Sequence, residues 1–174
     1  MFTANFRQLS KNDIAIAGGK GASLGEMMEA GLPVPAGFVV LSSVFEEFIA
    51  NMDLNIEIET ILKRVNPKEI ESIERASKKI RSLIDNCEMS NNLHTQIFKE
   101  FKKLNTKFVA VRSSATAEDS KTSSWAGELE TYLNVTEKNL IKSVIKCWSS
   151  LFTPRAIFYR FEKKLHKQKV SVAV

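Results

Sequence analysis

Residues 18–27 read GGKGASLGEM, in which Gly18, Gly19 and Gly21 surround Lys20 and a helix-forming run follows. The spacing predicts a helix over residues 20–30, with Leu24, Met27 and Met28 on one face and Gly31 as its C-terminal cap. The next stretch, LPVPAGF, holds two prolines that forbid continuation of that helix, and FVVL after it reads as a short strand. Glycines let a backbone pass close to a ligand. The first N–H groups of a helix have no intrahelical partner and can face an anion, and Lys20 adds a point charge. The pattern is not a P-loop: Ile14 stands where that motif needs glycine, and Gly21 where it needs Ser or Thr. From spacing alone, a phosphate-holding turn and a glycine-rich turn that simply opens a helix account for the stretch equally well.

Downstream, Ser42 or Ser43 is placed to cap a helix over VFEEFIANM. Residues 68–86 are amphipathic, with Ile70, Ile73, Ile80, Leu83 and Ile84 at helical spacing, and residues 91–104 repeat the pattern with Leu93, Ile97, Phe101 and Leu104. KFVAVR, residues 107–112, and ETYLNV read as strands separated by a polar loop. Helices follow at about 137–150 and 154–167, with Pro154 at a permitted first-turn position. The closing VSVAV, residues 170–174, reads as a strand. An apolar edge strand invites pairing, so either this strand lies inside the sheet or the sequence is a piece of something larger. Mixed helices and strands give an α/β or α+β class.

VAVRSSATAED is the second candidate site. An apolar strand delivers Arg112 at its end, where α/β proteins place ligand groups, and arginine meets phosphate oxygens bidentately. Residues 113–127 contain seven Ser or Thr, Ser113 and Thr116 among them, and end at Gly127. Hydroxyls and loose amides suit a flap over a polyphosphate. An exposed loop that caps a helix through Thr116 and Asp119 is the structural alternative. Trp125 fits an anchor of that loop to the core.

Composition narrows the partners. The chain has 174 residues and a net charge of +5. Residues 155–169 hold six Lys or Arg against one Glu and so account for that excess; a solvated helix face explains it, and an anion-binding surface is the sharper reading. No nucleic-acid-binding motif is present, no apolar run nears the roughly 18 residues of a membrane span, and no signal-peptide core opens the chain. Cys87 and Cys147 stand far apart outside any C-x-x-C, which fits a reducing cytoplasm.

Four stretches, GGKGASLGEMMEAGLPVPAGFVV, VAVRSSATAEDS, WAGELETYLNV and CWSSLFTPRAIFYR, together resemble the N-terminal nucleotide-binding domain of the phosphoenolpyruvate synthase and pyruvate phosphate dikinase family. RSSATAED is similar to the synthase branch and to the rifampicin phosphotransferases that share the domain. The resemblance implies an ATP-grasp fold, of which residues 1–174 are the N-terminal portion. It implies that Lys20 and Arg112 contact ATP phosphates as catalytic groups, and that Gly127 and Thr131 belong to the nucleotide site. Glu128 departs from the glutamine common there. Magnesium is expected, with its ligands outside this chain. The implied parent reaction is ATP-driven phosphorylation of a carrier histidine and then of pyruvate, or of rifampicin in the alternative branch; a non-catalytic ATP-binding module is a further reading. His94 and His166 lie outside any carrier-histidine motif and read as surface residues, so the isolated chain is expected not to turn over.

Overall fold

Ser10 opens the first long helix. Its hydroxyl accepts from the Asn12 amide at 3.2 Å, and its own amide donates to the Asp13 carboxylate at 2.7 Å. That reciprocal cap leads through a short 3-10 turn into helix α1, Ile14–Glu29. The helix therefore begins six residues before the predicted residue 20, and it is broken at Gly18, whose φ of 66° and ψ of 168° lie outside helical space. It ends as predicted at Gly31, φ 76°. The Leu32 amide donates to the Met27 carbonyl at 2.9 Å and the Gly31 amide to the Met28 carbonyl at 3.1 Å, the paired bonds of a Schellman stop.

The computed structural model describes residues 1–116, 129–165 and 170–174. Strands β1 (Thr3–Asn5) and β2 (Phe38–Val40) pair antiparallel with Thr3 opposite Val40. Helices α2 (Ser42–Asn51), α3 (Leu54–Lys63), α4 (Ile70–Asp85) and α5 (Asn91–Lys103) follow. Strand β3 (Val109–Arg112) runs on into β4 (Ser114–Ala115). After β5 (Thr131–Val135) come α6 (Leu140–Ser149), α7 (Pro154–Glu162) and β6 (Val172–Ala173). The predicted cap by Ser42 or Ser43 is not made: Ser42 begins α2, and its hydroxyl instead donates to the Ala15 carbonyl at 2.9 Å, tying α2 to α1. Thr153 caps α7 ahead of Pro154 by accepting from the Ala156 amide at 3.1 Å.

Three two-stranded antiparallel ladders form, β1–β2, β4–β6 and β3–β5, with β3 running on into β4. Val40 and Val174 exchange reciprocal hydrogen bonds of 2.7 and 3.0 Å, so the end of the β6 segment lies beside β2 while Ala173 faces Ser114 of β4. The predicted strand over 170–174 is shorter, Val172–Ala173, and its segment lies between β2 and β4 with Val170, Val172 and Ala173 buried.

Helix α1 lies against β2, β4 and β6, while α6 covers β3 and β5 and is backed by α4. The buried face of α1 is made of Ala17, Gly18, Gly19, Gly21, Ala22 and Gly25, not of the predicted Leu24, Met27 and Met28, of which Met27 is exposed. Close approach is the reason. A Cβ on Gly21 would stand 3.0 Å from Val39, and one on Gly25 only 2.3 Å from the Leu9 carbonyl oxygen. The central core gathers Trp148, Ile80, Ile84, Ile97, Leu151 and Ile157. The Trp148 ring packs on Phe48 at 4.8 Å and Phe45 at 6.0 Å.

Candidate functional site

Gly18 carries the first element of the site. Its positive φ turns the chain between two helical segments, and a Cβ there would lie 2.3 Å from the Ser114 hydroxyl oxygen and 2.6 Å from the Ser114 carbonyl oxygen. Only glycine lets the turn seat this closely on β4. The next segment then starts with the Lys20 amide donating to Ser114 Oγ at 3.0 Å. One of the helix's open N–H groups, expected from the sequence to face an anion, is therefore capped by a strand residue from the other half of the chain. Gly18 and Gly21 are occupied by protein neighbours, Ser114 and Val39.

The same contact brings the two basic segments together. Arg112 is two residues before Ser114, about 7 Å of extended chain. It is exposed at the end of β3, and no carboxylate among the described residues pairs with it. Thr131, the first residue of β5, stands directly opposite Arg112 in the ladder and is also exposed. Lys20 is half-buried at the restart of α1. Lys20, Arg112 and Thr131, distant in sequence, thus belong to one junction of α1, β3, β4 and β5.

Two other predicted ligands have internal work. Ser113 is buried; its hydroxyl donates to the Glu130 carbonyl at 2.6 Å, its amide donates to the same oxygen at 3.2 Å, and it accepts from Ser150 Oγ at 3.3 Å. Thr116 bonds the β6 segment: its amide and hydroxyl donate to the Ser171 carbonyl at 3.0 and 3.3 Å, and its hydroxyl accepts from the Ser171 amide at 3.3 Å. These two hydroxyls hold the strands around the site. Gly127, Trp125, Asp119, Glu128 and His166 lie outside the described residues. His94 is exposed on α5, stacked on Phe98 at 4.5 Å.

Behind Thr131, Glu130 joins three elements. Arg81 of α4 donates to its carboxylate at 3.3 Å, the Tyr132 hydroxyl donates to its other oxygen, and its carbonyl receives Ser113. Burial, reinforced by the bond to Glu130, pushes the Tyr132 hydroxyl above its ordinary range and keeps it protonated. Beneath the ladder, burial and then the nearby Glu130 push the Cys147 thiol up to about 12. Arg81 is marked by no motif or spacing, and Glu130 lies within the WAGELETYLNV stretch with nothing there to single out its carboxylate. Ser114 is signalled only as the second serine of RSSA.

A shallow, mostly apolar cavity of about 280 Å³ adjoins Arg112, lined by Leu24, Pro35, Gly37, Phe38, Leu104 and Val111 among others. Among the described residues no group of three His, Cys, Asp or Glu side chains is placed to hold a metal, and no helix is long and apolar enough to cross a membrane.

The structure is a mixed α/β unit that locks a glycine–lysine turn onto an arginine-bearing strand, and comparison with known proteins gives its family. The family model described as "Pyruvate phosphate dikinase, AMP/ATP-binding domain" matches residues 14–174, and the chain belongs to that family. It is 47% identical to a probable phosphoenolpyruvate synthase of Methanocaldococcus jannaschii over 99% of its own length, and it spans 15% of that protein. Identity is 44% to a probable phosphoenolpyruvate synthase of Archaeoglobus fulgidus, covering 95% of this chain and 23% of the relative. It is 34% to the phosphoenolpyruvate synthase of Pyrococcus furiosus, covering 95% of this chain and 25% of the relative. The chain therefore spans a quarter or less of these relatives.

Proposed function

We propose that this chain forms one wall of the ATP site of a phosphoenolpyruvate synthase-like phosphotransferase, as the N-terminal portion of an ATP-grasp-type domain. The observation that carries the reading is the Lys20–Ser114 bond, which ties the glycine–lysine turn to the strand of Arg112. Around that bond, Arg112 offers a planar fork for two phosphate oxygens. Lys20 supplies compact positive charge, and Thr131 a hydroxyl beside Arg112. The unmatched positive charge of Arg112 fits a polyphosphate, since catalysis of phosphoryl transfer is chiefly positioning and charge neutralisation. Gly127, outside the described residues, is assigned to the nucleotide site by the family resemblance alone. In this reading the magnesium ligands come from elsewhere in the larger enzyme. So do the carrier histidine, which takes the phosphoryl group from ATP, and the site of pyruvate, its acceptor. A cytoplasmic setting accords with the two free cysteines.

An ATP derivative whose terminal phosphate carries an acyl group acylates lysines beside bound phosphates, even when affinity is low. Mass spectrometry of the labelled chain should show Lys20 modified faster than surface Lys99, with excess ATP protecting Lys20 alone. Arg112→Ala should remove that protection without altering the circular dichroism spectrum. Equal labelling of Lys20 and Lys99, or labelling of Lys20 insensitive to ATP, would overturn the reading.

A further inference from the structure

The ATP-site reading makes Glu130 a difficulty. It places a carboxylate immediately before Thr131 and beside the strand of Arg112, where negative charge opposes phosphate binding. That carboxylate is nonetheless the meeting point of three elements. Arg81, near the C-terminal end of α4, donates from Nη2 to Glu130 Oε1 at 3.3 Å, and both side chains are about a third exposed, at 31% and 34%. Tyr132 donates its hydroxyl to Oε2. On the main chain, the Glu130 carbonyl receives both the hydroxyl and the amide of Ser113, at 2.6 and 3.2 Å, directly after Arg112. Glu130 is thus fixed at its head by α4 and β5 and at its backbone by the residue next to Arg112. Residue 131, opposite Arg112, inherits that fixation through one peptide bond.

We propose that Arg81 is a positioning residue of the nucleotide site: it neutralises Glu130 and, through that carboxylate, holds Thr131 in register with Arg112. This rests on the ATP-site reading above and adds to it a residue from the helical segment that touches no nucleotide itself. Arg81 is suited to the task because its guanidinium reaches Glu130 from a helix packed in the core beneath α6 and α7. Its charge cancels that of Glu130 locally, while Arg112 stays available for an anion. A neutral residue at 81 would leave a half-buried carboxylate uncompensated one residue from Thr131.

The test uses the ATP concentration that halves Lys20 acylation as the affinity readout, measured on the full chain alongside its thermal midpoint. Arg81→Met should raise that concentration about tenfold, and Arg81→Lys should recover most of the loss. The double variant Arg81→Met/Glu130→Gln should bind ATP better than Arg81→Met alone, because it removes the uncompensated charge. Ile97→Val, a core variant lowering the midpoint by a similar amount, should leave ATP protection unchanged, which separates positioning from general stability. If Arg81→Met unfolds the chain, Arg81→Lys against Glu130→Gln carries the same comparison. If wild type is protected by ATP and Arg112→Ala is not, but Arg81→Met keeps wild-type protection, the role of Arg81 is refuted and the site stands. If the double variant binds no better than Arg81→Met, the charge argument is refuted. If ATP fails to protect wild-type Lys20, the site reading falls and this inference with it.

Discussion

The Lys20 amide and the Ser114 hydroxyl meet at 3.0 Å across 94 positions of sequence. Around that bond the Gly18 backbone touches the Ser114 carbonyl and hydroxyl so closely that no Cβ could intervene. The glycine–lysine turn and the arginine strand are one built joint.

Gly18→Ala tests the joint sterically. The residue sits at φ 66° and ψ 168°, a region that side-chain-bearing residues avoid, and its methyl would enter the van der Waals shell of Ser114. Strain and overlap together should cost about 3 kcal/mol or more, read from urea unfolding. Adding Ser114→Gly should return only the overlap with the Ser114 side chain, leaving the 2.6 Å approach to its carbonyl oxygen and the backbone strain. A Gly18→Ala protein as stable as wild type would contradict the close approach.

Ser114→Ala removes the hydroxyl that caps the restarted helix at Lys20. The expected loss is about 1 kcal/mol of stability, the usual cost of losing a helix N-cap. Hydrogen exchange at the Lys20 amide should accelerate more than exchange in the middle of α4. Unchanged protection at Lys20 would show that the bond is dispensable.

Arg160 presents the opposite economy to Arg112. It is only 7% exposed, and its Nε is buried without a hydrogen-bond partner among the described residues. Burial alone lowers its guanidinium to about 10, and the charge rests over the Phe152 ring at 5.6 Å. Arg160→Met keeps the aliphatic stem and removes the desolvated charge, so stability should stay level or rise by about 1 kcal/mol. A loss of several kcal/mol on thermal or urea unfolding would show that the charge is compensated.

The two cysteines should separate cleanly by reactivity. Cys147 is fully buried with its thiol held at about 12, whereas Cys87 is partly exposed on the C-terminal side of α4 and partial burial raises its thiol above the ordinary range. At pH 8 a thiol reagent should label Cys87 and spare Cys147 until unfolding. A folded value above the unfolded one means that Cys147 contributes stability fully below pH 9 and loses it as pH climbs towards 12. The stability difference between wild type and Cys147→Ala should therefore shrink over that interval. A constant difference would exclude the shift.

The strongest signals in the sequence were local chemical ones: Gly31 as a helix stop, the prolines after it, Pro154 at a first-turn position, and the periodic Ile and Leu of α4 and α5. Elements defined by distant partners were not legible. Strand β1, TAN, has no alternation and exists because Val40 and its neighbours pair with it. Helix α3 follows α2 after only Met52 and the left-handed Asp53, φ 54°, and the helix-forming run of both segments hides that break. In the candidate site, residue types pointed to Lys20 and Arg112, and the structure places their segments together. Hydroxyl-rich composition could not tell Ser113 and Thr116, which are spent on the Glu130 and Ser171 carbonyls, from Thr131 at the exposed ladder end. Those partners lie 17 and 55 positions away. Arg81 had no local mark at all, because its meaning comes from Glu130, 49 positions on.

The place of Val170–Val174 between β2 and β4 bears on how the molecule comes into being. The β1–β2 pair and the arginine-bearing ladder are translated before the segment that joins them. Until it emerges, each piece offers bare main-chain donors and acceptors to the surroundings. Assembly of this domain is in that sense a closing stitch, and its rate should answer to substitutions at Val172 more than to those in the helices translated before it.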